Sequence, residues 1–459
     1  MSEDWELPEE GSPEEERLAE LFGSILGEDG RAVLRELRAH GADLGALAKA
    51  AGMAADPATL RAMVEQVQRM LASSGDDPVN WELARDVARQ AALAGGDPSV
   101  VASRARPTTE ALQVAELWLD AVTDLPPAPG ARRAWSRSEW VEATLPTWRL
   151  LTEPVAASMS RAFAEALGDQ LPALPGLPGM PGPEEMLRRL GSAVFGMQVG
   201  QAAGTLAREV VGGTDIGFPL LKDGTVLLPA NVEALAEGLE VPLEEVRLFL
   251  ALREAAHARL YGHVTWLRSH VLALVHDYAR GVRIELSVLE ETLRAMDLSD
   301  PRALQEALTS EVFAPQVTPE QQRALLRLET VLALVEGWVE EVVAEAARAH
   351  LPRSLALRET MRRRRAAGGP GEKAFVNLVG LELRPRRARE AATLFAHVRA
   401  AGGAEAREEV WAHPDLLPTA ADLDDPAGFL DRRRAEREAE SQIDEALEAL
   451  LERGEDEGA

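Results

Sequence analysis

Apolar residues recur at spacings of three and four along most of this chain, and only one stretch carries a convincing sheet signal. The spacing predicts amphipathic helices over 14–26, 32–50, 57–73, 78–94 and 108–122. Asp76-Asp77-Pro78 and Asp97-Pro98 set an acid and then a proline where a helix begins. Helical patterning resumes at Trp135, and long helical runs are expected over 242–278, 318–350 and 384–401. The sheet signal is DIGFPLLKDGTVLLPANV, in which Asp223-Gly224 is a hairpin turn dipeptide between 218–221 and 225–228. The expected fold is mainly α, a helical core with a small β-hairpin or sheet.

Two breaks interrupt the helices. LPPAPGARR, residues 125–133, stops the pattern, and LPALPGLPGMPGP, residues 171–183, alternates Pro and Gly too densely for helix or strand. The expected organisation is an acidic N-terminus (1–30), a helical region (31–170), the Pro/Gly-rich loop (171–183), a core region (184–430) and an acidic tail (431–459). Between loop and sheet signal, Gly191 to Ala207 carries no charge and sets Gly196, Gly200 and Gly204 four apart, the small-residue spacing that lets helices approach closely. Its two Gln, its Ser and Thr and its shortness favour a helix buried among helices over a bilayer span.

The formal charge of −27 is unevenly spread: residues 1–30 hold eleven acids against one Arg, and residues 435–459 ten acids against two Arg. Acidic ends argue against nucleic acid as a partner and favour solvated tails. The opening MSEDWELPEEGSPEEER lacks the basic and apolar regions of a signal peptide. With no Cys, disulfides, thiolate ligands and a thiol nucleophile are excluded, and His, Asp and Glu remain as ligands. A cytoplasmic location fits, with a peptide or protein partner and neither nucleic acid nor membrane. Trp135, Trp140 and Trp148 among Arg132, Arg133, Arg137 and Arg149 read as core anchors with flanking Arg, or as a stacking surface for a ligand. Arg362–Arg365, with Lys373 and Arg384–Arg389, reads as a solvated loop and helix start able to contact the chain's own acidic tail.

The chemistry centres on ALREAAHARLYGHVTWLRSH, residues 251–270. A zinc-peptidase helix carries His-Glu-x-x-His, with two ligands four apart on one face and Glu as general base. Here the five positions read Arg253, Glu254, Ala255, Ala256 and His257. Arg253 and His257 share a face, but a guanidinium has no lone pair to offer a metal. His263 and His270 lie about 10.5 Å apart along a helix, too far to share one ion easily. P-loop, dinucleotide-binding and nucleophile-elbow patterns are missing.

LALREAAHARLYGHVTWLRSHV, together with ARRAWSRSEWVEATLPTWRLLTEPVA, FVNLVGLELRPRRARE and WAHPDLLPTAADLDDPAGF, resembles the zincin-like metallopeptidase type 2 family over about residues 110–430. Members are labelled zinc-dependent metalloproteases or hydrolases, and relatives are labelled as associated with coenzyme F420 biosynthesis. The resemblance implies a zincin-like helical core, zinc as cofactor, Glu254 as the general base, His257 as a ligand, and a third ligand from a later helix. ALVEGWVEEVV offers Glu336 for that ligand, with Glu340 one turn on. Arg253 occupies the first-ligand position, so the motif is degenerate. The same residues support a second reading, a pseudoenzyme that binds or scaffolds without catalysis, binds no metal, and sets the Arg253 guanidinium where the metal charge would be, paired with Glu254 or Glu336.

Overall fold

The protein is described by a computed structural model covering residues 77–168, 183–280, 318–368, 378 and 387–456. The helices expected over 14–26, 32–50 and 57–73, and nearly all of the Pro/Gly-rich loop, lie outside these residues. The fold is mainly α: α1 (Trp81–Leu93), α2 (Ala102–Leu119), β1 (Arg132–Ala134), α3 (Arg137–Gly168), α4 (Pro183–Ala207), β2 (Thr225–Leu227), α5 (Pro229–Ala236), α6 (Leu243–His263), α7 (Leu267–Arg280), α8 (Pro319–Ala347), α9 (Ser354–Ala366), α10 (Ala388–Glu409), α11 (Ala420–Asp424) and α12 (Phe429–Asp456). Among the described residues no helix is long and apolar enough to cross a membrane.

α1 and α4 pack face to face because their small residues interlock. Ala84, Ala88 and Ala92 line the buried side of α1. A Cβ on Gly196, Gly200 or Gly204 of α4 would sit 2.5, 2.5 or 2.4 Å from the carbonyl oxygens of Asn80, Ala84 and Ala88. The uncharged stretch is therefore a helix-packing surface inside a bundle.

α6 is enclosed on several sides, by α2, α8, α9, α5 and β2. Every residue from Phe249 to His257 is buried, so its polar side chains must find partners within the protein. α8 begins with a capping box formed by Thr318 and Gln321 and is buried from Thr330 through Glu340. These two crossing helices place Glu336 against the α6 motif.

The sheet differs from the expected hairpin. β2 pairs in parallel with β1, with Arg132 opposite Thr225 and Ala134 opposite Leu227. Pro219 has no N–H to give a ladder, while Gly224 N and Thr225 N donate to Pro129 O and Ala131 O at 2.8 and 3.1 Å. The turn at Gly224, with φ +83°, thus delivers β2 to β1. The run expected over 242–278 also divides, since the chain leaves helix at Val264 (ψ 85°), where Val264-Thr265 sets two β-branched residues side by side.

Gly200→Ala should destabilise the fold by about 1–3 kcal/mol, because the methyl meets the Ala84 carbonyl oxygen and the stiff, β-branched Val87 on α1. Gly191→Ala, on the same helix with open space around it, should be neutral or stabilising by up to about 1 kcal/mol. Urea unfolding of the two variants checks this.

Candidate functional site

Arg253, Glu254 and His257 are carried on the buried middle of α6, with relative exposures of 6%, 3% and 1%, and Glu336 on α8 is 1% exposed. They separate into two clusters with different partners. Glu254 faces the loop between α4 and β2. Its Oε1 accepts from Gly213 N (3.1 Å) and Val226 N (3.1 Å), and its Oε2 from Thr214 N (3.0 Å) and Thr214 Oγ1 (2.7 Å). Four donors saturate this carboxylate. Burial pushes the Glu254 carboxyl above its ordinary range, while the hydrogen bonds from Thr214 and Val226 and the charge of His257 pull the other way.

The loop is shaped to those contacts. A Cβ at Gly212 would lie 2.7 Å from Glu254 Oε2, and one at Gly217, where φ is +75°, 3.0 Å from Glu336 Oε1. Trp140 Nε1 donates to Gly212 O (3.1 Å), and Tyr261 of α6 donates to Gly217 O (2.9 Å). Trp140 and Trp148 are fully buried, so two of the three Trp of the Trp-rich segment are core anchors, and Trp140 also fixes the loop over the site. Val226, on β2, spends its amide on Glu254.

Glu336 gathers the second cluster. Arg253 Nη2 lies 2.8 Å from its Oε2 and His257 Nε2 2.8 Å from its Oε1, while Arg365 of α9 also bonds Oε2. His257 Nδ1 is 2.8 Å from Arg253 O, a carbonyl that can only accept. Burial acts to raise the Glu336 carboxyl, but Arg365, His257 and Arg253 together outweigh it and hold it well below its ordinary value of 4.5. The carboxylate is therefore ionised, with its two oxygens directed at the guanidiniums and the imidazole around it.

This donor set does not fit zinc. A catalytic zinc site uses three protein ligands and a water, whereas here the first-ligand position is a permanent cation, Oε2 of Glu336 is engaged by two guanidiniums, and His257 Nε2 is directed at Oε1. Among the described residues no group of three or more His, Asp or Glu is placed to hold a metal ion. A pocket of ≈ 10 Å³, lined in part by Arg253, Glu254, His257 and Arg365, has room for about one water.

Of the residues singled out from the sequence, Arg253, His257 and Glu336 meet. Glu254 is turned to the loop, and Glu340 pairs instead with Arg362, whose Nε is 3.0 Å from both its oxygens. His263 faces Pro127 O at 3.1 Å, His270 stands edge-on to Trp266, and His350 stacks on Trp118 at 4.3 Å. The reading of Arg362–Arg365 as a solvated run is corrected in part. The run ends α9 and, apart from the exposed Arg363, which pairs with Glu359, grips the site through Glu340, Asp215 and Glu336. Four consecutive Arg leave the helix end no uniformly solvated face, and buried acids on α8 and the α4–β2 loop attract three of them. Arg365, Thr214 and the amides of Gly213 and Val226 are the site residues that sequence reasoning missed. The unbroken Arg run and the Gly212-Gly213-Thr214 string were the available signals.

The family model described as zincin-like metallopeptidase matches residues 79–430. The chain is similar in structure to a "putative hydrolase with a novel fold from Chloroflexus aurantiacus", with a TM-score of 0.55, 21% identity, and coverage of 78% of this chain and 99% of that one. At that identity the likeness speaks for the fold. No curated protein matches the chain.

Two predictions follow from the opposite environments of the two carboxylates. Glu254→Gln turns an amide N–H₂ towards backbone donors and should cost about 1–3 kcal/mol in urea unfolding. Glu336, depressed when folded, contributes stability that is present above its ordinary value of 4.5 and is lost as pH falls below it. Glu254, raised when folded, acts with the reverse sign, its contribution shrinking as pH rises through its raised value. Thermal melts between about pH 5 and 3 should therefore fall more steeply for the unsubstituted chain than for Glu336→Gln.

Proposed function

We propose that this chain, which belongs to the zincin-like metallopeptidase family, keeps the family fold but has an ion cluster in place of a metal centre, and works as a binding protein for a peptide or protein partner. The observation that carries this reading is the 2.8 Å contact of Arg253 Nη2 with Glu336 Oε2. It sets a permanent positive charge at the first-ligand position and directs it to the carboxylate that would be the third ligand. Glu254 supports the same reading, because serving as a general base would require it to release hydrogen bonds worth about 1 kcal/mol or more each. The acidic ends favour a partner other than nucleic acid.

Hydrolysis is the second reading, favoured by the retention of Glu254 and His257 on one helix with Glu336 crossing it. The test is metal content and peptidase activity of full-length, tag-free protein purified without chelator. The binding reading expects substoichiometric zinc, no peptidase activity, and a His257→Ala variant changed only in stability, by about 1–3 kcal/mol. Stoichiometric zinc that disappears in His257→Ala, with peptidase activity abolished by Glu254→Gln, would establish the hydrolase instead.

A further inference from the structure

Glu336, the carboxylate the family resemblance offers as a ligand, is engaged from two sides. Arg253 reaches Glu336 from α6, and Arg365 reaches the same oxygen, Oε2, from the last turn of α9. Arg365 is tied in place: its Nη2 donates to Asp215 O at 3.0 Å, and its neighbour Arg364 bonds both oxygens of Asp215 at 3.1 and 2.8 Å. On the other side Arg362 holds Glu340, one turn along α8 from Glu336. The end of α9 is thus clamped to both the loop and α8, which leaves the Arg365 side chain only 17% exposed.

Charge makes the second arginine as consequential as the first. A zinc ion carries two positive charges, and Arg253 supplies one. From this geometry we infer that Arg365 is the other half of the replacement, so that two guanidiniums from separate helices stand in for one divalent cation on Glu336. This inference rests on the binding-protein reading and adds a residue outside the motif to it. Arg365 contacts the same oxygen of Glu336 as Arg253 and does so from a different helix. A metal entering beside Arg365 would meet like-charge repulsion and a ligand whose charge is already taken.

A consequence distinguishes this from a defect in the motif alone. Arg253→His completes the His-Glu-x-x-His pattern but leaves Arg365 on Glu336. It should bind zinc weakly. Arg253→His/Arg365→Met should bind Zn²⁺ about 10–100-fold more tightly, because it removes a like charge from beside the ion and frees an oxygen of Glu336. Arg253→His/Arg365→Lys, which keeps the charge, should stay with the single variant.

The experiment measures Zn²⁺ dissociation constants of the full-length chain and the three variants by competition with a chromophoric chelator, with Co²⁺ absorption reporting the geometry. Should the Met double variant fold poorly without metal, Arg365→Gln replaces Arg365→Met, and refolding yield from urea is compared with and without Zn²⁺. A yield restored by zinc in that double variant and not in Arg253→His supports the inference. Equal affinity of the single and double variants would overturn it, as would a Lys double variant as tight as the Met one. Stoichiometric zinc on the unsubstituted chain would sink the binding-protein reading itself, an outcome read separately from the ratio between variants.

Discussion

Glu336 sits in the enclosed middle of α8, and an ionised carboxylate there is tolerated only when it is paired. Arg253, His257 and Arg365 supply the pairing from two other helices, and through it α6, α8 and α9 are held in one arrangement. Removing one arginine from such a buried ion pair typically costs about 3–5 kcal/mol. The same device recurs at other points where helices meet. Arg259 of α6 is fully buried against Glu116 and Asp120 and the carbonyl of Leu125. Arg407 of α10 is fully buried between Glu345 and Glu408, with its Nη2 on Val122 O.

In this setting the Arg-Glu-Ala-Ala-His sequence has a structural use at each polar position. Glu254 fastens the α4–β2 loop and β2 to the motif helix, and Arg253 and His257 bond Glu336. The loop presses glycines onto both carboxylates, which leaves space for little more than a water.

Much of this could be read from the sequence because helical spacing is local information. The small-residue face of α4, the capped start of α8 and the shared face of Arg253 and His257 all follow from positions three and four apart. Glu336 could be named only because the family resemblance asks for a third ligand from a later helix and ALVEGWVEEVV offers one, with Glu340 one turn on. The sheet was only half legible. Asp223-Gly224 marked a turn correctly, but Pro219 removed the near partner, and β1, about ninety residues earlier in the chain, offers no local sign of pairing with β2. Arg365 was missed for the same reason: the α9–α8 approach that turns a basic run inward is a tertiary fact, and a run of like charges reads as solvated until buried acids are known to face it.

The most direct measurement of the central claim is a crystal structure of the unsubstituted chain grown with Zn²⁺ at neutral pH, with diffraction recorded on both sides of the zinc edge. The account predicts guanidinium density from Arg253 and Arg365 on Glu336 and no anomalous peak beside His257. An anomalous peak within bonding distance of His257 Nε2 and Glu336, with Arg253 turned away, would contradict it.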